Sequence, residues 1–219
     1  MKKFFNLRNL VIAGSGLAFL VGVLLVFHLN IDQVLIQNQS EKALKLYPNK
    51  QEGKFQAETI EPLTTSELLA HQFSKLDLPV AGKVTLPALH IELPVFNCLT
   101  SESMMYGACY AKAHQEMGRG NVALASHTIF NPLTGNRVPD LLFGNLSQAQ
   151  IGQHIFLTDK TKVYDYQIDR IFRSPDTQGE VIEDHKDKKE ITLYTCTHLT
   201  GGERLVVQGN LVDTTAYEP

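Results

Sequence analysis

The segment Ile191-Thr192-Leu193-Tyr194-Thr195-Cys196 is rich in β-branched and apolar residues and ends in a cysteine. Such a run predicts a β-strand, because branched side chains pack well on a pleated surface. The residues that follow, Thr197-His198-Leu199-Thr200-Gly201-Gly202-Glu203, have the polar and glycine-rich composition of a loop. The pattern predicts that the Cys196 thiol lies where a strand ends at the rim of a domain, within reach of a substrate.

The next strand-like run, Arg204–Val212, begins eight residues after Cys196. If the two runs pair as antiparallel strands across the loop, the Arg204 guanidinium comes near the Cys196 sulfur. A nucleophilic cysteine reacts as its thiolate and needs a neighbouring cation or base. A guanidinium stays charged at any working pH and can donate to a developing oxyanion. The alternative is that Arg204 is an ordinary surface arginine.

Other parts of the chain between residues 80 and 175 also have the length and composition of short strands. The run 162–172 alternates apolar and polar side chains with a period of two, which indicates a half-buried strand. Residues 141–149 predict one helical turn. Short strands with few helices favour an all-β barrel or sandwich. The remaining strand-like runs are 84–87, 91–95, 121–127 and 153–158.

A cysteine nucleophile also needs an acid or base, and histidine supplies it most often near neutral pH. His127 ends the apolar run 121–126 and precedes a loop, so it lies at a border between strand and loop, as Cys196 does. His198 is close to Cys196 in sequence and is the rival candidate. Spacing favours His127 and leaves both possibilities open.

The amino terminus differs in composition from the rest of the chain. Lys2, Lys3 and Arg8 precede residues 10–29, an uncharged and mostly apolar stretch. Twenty such residues form a helix long enough to cross a hydrocarbon layer of about 30 Å. No small-residue cleavage site follows, which favours an uncleaved signal-anchor over a cleaved signal peptide. The positive charges predict a cytoplasmic amino terminus and a single-pass membrane protein whose remaining residues are extracellular.

These features predict three regions. Residues 1–29 form the cytoplasmic tip and the transmembrane signal-anchor. Residues 30–78 form an extracellular stalk with helical pieces at 31–46 and 62–76, separated by a break around Pro48 and Gly53. Residues 79–219 form the catalytic domain.

Net charge and cysteine count exclude several classes of protein. The formal net charge is −3 with both signs scattered along the chain, which is unlike the basic footprint of a nucleic-acid-binding protein. The Cys and His spacings do not fit a zinc site. Cys98 and Cys109 either pair as a disulfide or stay buried thiols, which leaves Cys196 as the odd cysteine.

Two of these segments resemble the signature of the sortase family. Thr192-Leu193-Tyr194-Thr195-Cys196, with Arg204 eight residues later, resembles the family's Thr-Leu-x-Thr-Cys motif. Ala123-Leu124-Ala125-Ser126-His127 is similar to the strand that ends in the family's histidine. The resemblance covers about residues 80–215. It implies an eight-stranded sortase-type β-barrel with short helices, here preceded by one transmembrane helix, and it implies His127 rather than His198 as the functional histidine.

The resemblance also implies a reaction and a set of partners. Cys196 would be the nucleophile, His127 the acid and base, and Arg204 the oxyanion partner. The substrate would be a secreted protein with a Leu-Pro-x-Thr-Gly (LPXTG) sorting signal, cleaved between Thr and Gly. The acceptor would be an amino group of lipid II or another peptidoglycan precursor in a Gram-positive cell wall. Five residues would line the substrate groove, namely Ala125, Ser126, Val181, Ile182 and Thr195.

Within the family, the single amino-terminal anchor and the missing lid motif resemble the class A, housekeeping form. Some class A members bind calcium, but here Lys112, Gln115 and Arg119 stand where acidic ligands would be expected. We therefore expect no metal and no other cofactor. Two alternatives remain, a secreted cysteine peptidase that uses water as acceptor and a non-catalytic, tethered β-barrel binding module.

Overall fold

Eight β-strands form most of the structure, a computed structural model that describes residues 7–46, 48–49, 51–56, 78–131, 134–175, 177, 179–198 and 202–218. The strands are β1 (Val80–Leu86), β2 (Ile91–Phe96), β3 (Ala108–Tyr110), β4 (Asn121–Ala125), β5 (His154–Thr158), β6 (Lys162–Pro175), β7 (Glu190–Cys196) and β8 (Glu203–Ala216). They close into a barrel in the order β1-β2-β3-β4-β7-β8-β6-β5. The predicted all-β barrel is confirmed.

Two of the strand pairs, β2 with β3 and β4 with β7, run parallel, and the other pairs run antiparallel. The parallel pairing of β4 with β7 matters for the site. Parallel strands end at the same edge of a sheet. The residues that follow Ala125 of β4 therefore lie beside the carboxyl end of β7.

The barrel interior follows from the alternation of side chains along the strands. Strand β1 alternates buried and half-buried residues along its whole length. In β7, Ile191 and Leu193 are fully buried in the apolar core, as is Val207 of β8. Burial of such side chains stabilises the fold by about 1.5–3 kcal/mol each. The largest fully buried side chains include Phe96, Tyr106, Phe143 and Tyr166.

Short helices connect the strands, as predicted. In the described part of the chain they are α2 (Ser101–Met104) and the 3-10 helices Pro87–Leu89, Gly144–Gln148 and Gly179–Ile182. The helical turn predicted over residues 141–149 is confirmed at Gly144–Gln148. The pattern missed β3, because a three-residue strand is too short to show a period.

A long helix, α1 (Leu7–Leu44), lies before the barrel in the chain. It includes most of the helical piece predicted at 31–46, which continues from the preceding residues because no glycine or proline lies between Gly22 and Pro48. Ile36 and Ala43 are buried in the same apolar core as the strands. Among the residues that the structure describes, no helix meets the length and apolar character that crossing a membrane requires.

The chain after α1 lies along the barrel. Lys160, in the turn between β5 and β6, donates to the carbonyl oxygens of Leu44 and Leu46 at 3.2 and 2.8 Å, where α1 ends. Farther on, the Gly53 amide donates to the Asn97 carbonyl and the Leu99 amide to the Lys54 carbonyl, both at 2.8 Å. The described part of the predicted stalk is thus joined to the barrel. The helix predicted at 62–76 lies outside the described residues.

Candidate active site

The register of β4, β7 and β8 brings the three side chains predicted for catalysis to one rim of the barrel. Ala125 of β4 pairs with Tyr194 of β7, and Cys196 of β7 pairs with Arg204 of β8. Paired residues project from the same face of a sheet. Because β4 and β7 run parallel, continuing their register by two residues places His127 level with Cys196.

The Cys196 sulfur and the Arg204 guanidinium are in direct contact. Arg204 Nη1 donates to Cys196 Sγ at 3.2 Å, and Cys196 is half-buried. The antiparallel pairing of β7 with β8 across the short loop is the local cause of this contact, as predicted from the sequence. A charged donor beside a sulfur nucleophile can stabilise negative charge that develops there or on a bound carbonyl oxygen.

His127 is 8% exposed, and its backbone is held by neighbouring groups. The Phe143 amide donates to the His127 carbonyl at 3.1 Å. On the two sides of His127, the Thr195 hydroxyl donates to the Ser126 carbonyl at 2.7 Å and lies 2.8 Å from the Thr128 hydroxyl. These buried bonds connect residues 126–128, the histidine segment, to β7 one residue before Cys196.

The face that carries Cys196 continues along β4 and β7. Alternation places Ala123 and Ala125 of β4 on this face, where both side chains are small and buried. The 3-10 helix Gly179–Ile182 lies over the same face, because the Val181 carbonyl accepts from the side chains of Asn121 at 3.1 Å and Gln208 at 3.2 Å. Val181 and Ile182 are half-buried there.

Comparison with known proteins assigns the chain to a family. The family model of the sortase domain matches residues 84–212. The chain belongs to the sortase family. It is 35% identical over 221 residues to sortase A of Streptococcus agalactiae serotype III (strain NEM316), covering 96% of this chain and 87% of that protein. It is 30% identical over 190 residues to sortase A of Bacillus anthracis, covering 78% and 87%.

A solved structure shows the same fold. The crystal structure of Listeria monocytogenes sortase A covers 64% of this chain and 91% of that chain, with a TM-score of 0.58 and 29% sequence identity. The predicted sortase-type barrel is therefore confirmed. As a member of this family the chain is a sortase transpeptidase.

The rival histidine of this sortase has a different environment. The His198 side chain is 62% exposed, and its Nε2 lies 3.9 Å from Glu203 Oε2. His198 follows Cys196 on the loop side of the rim, whereas His127 is buried next to the end of β7. The choice of His127 as the functional histidine stays a prediction.

Two predicted groove residues, Ser126 and Thr195, lie on the opposite face from Cys196 by alternation. The Ser126 hydroxyl donates to the Gly107 carbonyl at 2.8 Å. A Cβ added at Gly107 would lie 2.5 Å from the Pro94 carbonyl oxygen, so glycine permits this close approach. Ser126 and Thr195 support the site from beneath in this arrangement, and their contact with substrate stays a prediction.

The other end of this face carries an ion pair that sequence reasoning did not find. Lys112 Nζ lies 2.7 Å from Asp184 Oδ1, which also accepts from the Asn121 amide at 2.7 Å. These donors hold the pKa of Asp184 below its ordinary value, the Lys112 bond first. Gly120 adopts a φ of +50°, and a Cβ there would lie 2.5 Å from Asp184 Oδ1. The pair joins the loop before β4 to the loop before β7.

Burial shifts the pKa values of two thiols and of one tyrosine beside Arg204. Cys98 and Cys109 are both free and buried, and burial raises the pKa of each thiol. Burial raises the pKa of Tyr194 to about 12, with the Arg204 charge acting in the opposite direction. Within the described part of the chain, no group of three or more His, Cys, Asp or Glu side chains is arranged to hold a metal ion.

Proposed function

We propose that this sortase cleaves an LPXTG-type sorting signal between Thr and Gly and transfers the surface protein to an amino group of a peptidoglycan precursor. The observation that carries the proposal is the contact between Cys196 Sγ and Arg204. It lies at the rim of the barrel to which the register of β4 and β7 also brings His127. The proposed nucleophile and charged donor thus come from the neighbouring strands β7 and β8, and the proposed proton carrier comes from the segment that follows β4. This is the set of groups that acyl transfer through a thioester needs.

In the first half of the reaction, His127 takes the proton of the Cys196 thiol, and Cys196 Sγ forms a bond to the Thr carbonyl carbon of the sorting signal. The carbonyl oxygen takes up negative charge in the tetrahedral intermediate, and Arg204 donates to it. The C–N bond between Thr and Gly then breaks as His127 gives a proton to the departing glycine amine. A thioester between Cys196 and the Thr carbonyl remains.

In the second half, the acceptor amine attacks the thioester carbonyl. His127 takes the proton from this amine, the C–S bond breaks, and Cys196 is regenerated. The product is an amide between Thr and the acceptor. Water in place of the amine would give the free acid, which is the hydrolase alternative.

The face beside Cys196 supports an apolar sorting signal. Ala125 lies on this face, and the helical turn that carries Val181 and Ile182 is bound to the same face through the side chains of Asn121 and Gln208. An extended peptide with Leu and Pro side chains would bury apolar surface against these residues, at about 25 cal/mol per Å². Ser126 and Thr195 would act by holding the histidine segment in register with the end of β7.

We also propose that residues 10–29 anchor the enzyme in the cell membrane as a single pass, with a cytoplasmic amino terminus and an extracellular catalytic domain, as in a class A housekeeping sortase. Secreted proteins with LPXTG signals and lipid II would be its partners. We propose no cofactor. The Lys112 ammonium is paired with Asp184 in the region where calcium-binding relatives would need acidic ligands.

The test uses the full-length chain in detergent micelles with EDTA, an LPXTG-containing peptide and a glycyl amine as acceptor. Mass spectrometry should find the peptide cleaved after Thr and the amine joined to Thr, and Cys196→Ala should give neither product. Cleavage without amine incorporation would support the peptidase alternative. Peptide that binds but is never cleaved, even with calcium and varied signals, would contradict the proposal in favour of a binding module.

A further inference from the structure

A short hairpin follows His127 directly. Backbone bonds join its two arms, from the Val138 amide to the Ile129 carbonyl and from the Asn131 amide to the Asn136 carbonyl, both at 2.8 Å. An isolated antiparallel bridge pairs Phe130 with Arg137. The hairpin therefore presents Arg137 opposite Phe130, on an arm that leads back toward the rim.

The Arg137 side chain reaches the residue after the nucleophile. Its Nη2 donates to the Thr197 carbonyl at 3.1 Å. Its guanidinium carbon lies 5.9 Å from the centroid of the Phe130 ring, within the range of a cation–π contact. Arg137 is half-buried, so the two contacts restrict a side chain that would otherwise be mobile in water.

The peptide groups on either side of Thr197 are held from two directions. The Thr197 amide donates to the Glu203 carbonyl of β8 at 3.2 Å, and the Thr197 carbonyl accepts from Arg137. The first contact belongs to the hairpin of β7 and β8. The second joins the exit of β7 to the segment that carries His127.

We propose that Arg137 is a positioning residue that keeps Cys196 and His127 aligned by tying the hairpin after the histidine to the backbone after the cysteine. The inference rests on the proposed function, since alignment matters only if these two residues react together. Arg204 touches the sulfur, whereas Arg137 acts through the Thr197 carbonyl. The hydroxyl pair Thr128–Thr195 forms the buried tie between the same segments, and Arg137 forms the tie nearer to solvent.

The chemistry of arginine suits this role. Its planar fork can donate to a carbonyl while its face packs on an aromatic ring, which a lysine ammonium cannot do as well. Displacement of a reacting group by about 1 Å can lower a rate by about 100-fold. Because the buried hydroxyl pair remains, we expect loss of Arg137 to lower kcat by about 10-fold, and the KM for the sorting-signal peptide to stay within about twofold.

The experiment compares wild type, Arg137→Ala, Arg137→Lys and the control Arg170→Ala, all as full-length chain. Arg170 is an exposed arginine of β6. For each variant, kcat and KM of transpeptidation are measured after the active fraction is titrated by alkylation at Cys196. The rate of Cys196 alkylation by iodoacetamide is measured without substrate. Arg137→Ala should lower kcat and alkylation rate, Arg137→Lys should lie between it and wild type, and Arg170→Ala should match wild type.

The outcomes separate this inference from the proposed function. If the wild-type chain shows no turnover, the proposed function is contradicted. The alignment of Cys196 is then still tested by comparing the alkylation rates of Arg137→Ala and wild type. An Arg137→Ala enzyme with kcat within twofold of wild type overturns the inference. So does a raised KM at unchanged kcat, which would make Arg137 a substrate contact. If melting curves show that Arg137→Ala does not fold, a wild-type kcat in folded Arg137→Lys overturns the inference instead.

Discussion

The two ends of the face formed by β4, β7 and β8 each hold a cation against an acidic group. Where β7 ends, Arg204 donates to Cys196 at 3.2 Å. Where β4 begins, Lys112 donates to Asp184 at 2.7 Å, and Asp184 accepts the first amide of β4. The first end places the cation on the sulfur of the proposed nucleophile, and the second places it on a carboxylate.

We therefore expect the Cys196 end to take part in the reaction and the Asp184 end to stabilise the loops around it. A carboxylate beside a lysine is a stable pair at neutral pH and binds two loops together. In the proposed reaction, the sulfur beside Arg204 forms a bond to the substrate carbonyl carbon and later releases it. Changes at the Cys196 end should therefore act on kcat, and changes at the Asp184 end should act on KM and on stability.

The largest effect is expected at the histidine of the Cys196 end. His127→Ala should lower kcat/KM by about 100- to 10,000-fold, because a positioned acid and base contributes that much to a reaction. His198→Ala is the matched control and should retain activity within about threefold, because His198 is exposed and faces Glu203. Peptide-cleavage kinetics check both. An inactive His198→Ala enzyme beside an active His127→Ala enzyme would reverse the assignment.

The next effect concerns the guanidinium on the sulfur. Arg204→Ala should lower kcat by about 100- to 1000-fold, since one charged donor to an oxyanion is worth that much. Arg204→Lys should recover only part of the rate, because an ammonium lacks the planar fork. Single-turnover acylation followed by mass spectrometry measures the step. Arg173→Ala removes a nearby arginine paired with Glu203 at 3.2 Å and serves as control. An Arg204→Ala rate equal to this control would remove Arg204 from the reaction.

A smaller effect is expected at the Asp184 end. Lys112→Ala removes one partner of an exposed ion pair, worth at most about 1 kcal/mol. We expect the KM for the sorting-signal peptide to rise by up to about fivefold with little change in kcat, because the Val181 loop is held less firmly. Lys83→Ala, which breaks a similar pair with Glu92 on β1 and β2, should leave KM unchanged. Steady-state kinetics of the three enzymes measure these KM values. The same kinetics of the wild type in EDTA and in calcium chloride test metal independence, and a rate that requires calcium would contradict it.

The smallest effect is a pH dependence of stability. The pKa of Asp184 lies below its ordinary value of 3.8 in the folded chain, first because of the Lys112 bond. A lowered folded-state pKa stabilises the protein above about pH 3.8 and ceases to do so as the pH falls through the folded value. Asp184→Asn should thus lower the free energy of unfolding at pH 7 by less than about 1 kcal/mol, because the side chain is exposed, and the melting temperature should fall slightly. The difference should vanish in strong acid, and a gap that widens there would contradict this account.

Local sequence patterns were enough to predict most strands of the barrel and the contact between Cys196 and Arg204. The period of two in β6 and the branched residues of β7 identify strands directly. The contact of Cys196 with Arg204 follows from a short loop between two antiparallel strands. The three-residue β3 and the hairpin after His127 have no period to detect, so the pattern could not identify them.

The sequence by itself determined the strand that ends in Cys196, the arginine opposite it, the histidine candidates and the all-β class. Only the tertiary structure decided that β4 runs parallel to β7, which brings His127 level with Cys196. It alone paired Lys112 with Asp184 and Arg137 with the Thr197 carbonyl. The reason is range. Side-chain periodicity and tight connections are local properties, whereas contacts between distant loops depend on how the barrel closes and on where long, flexible side chains find partners.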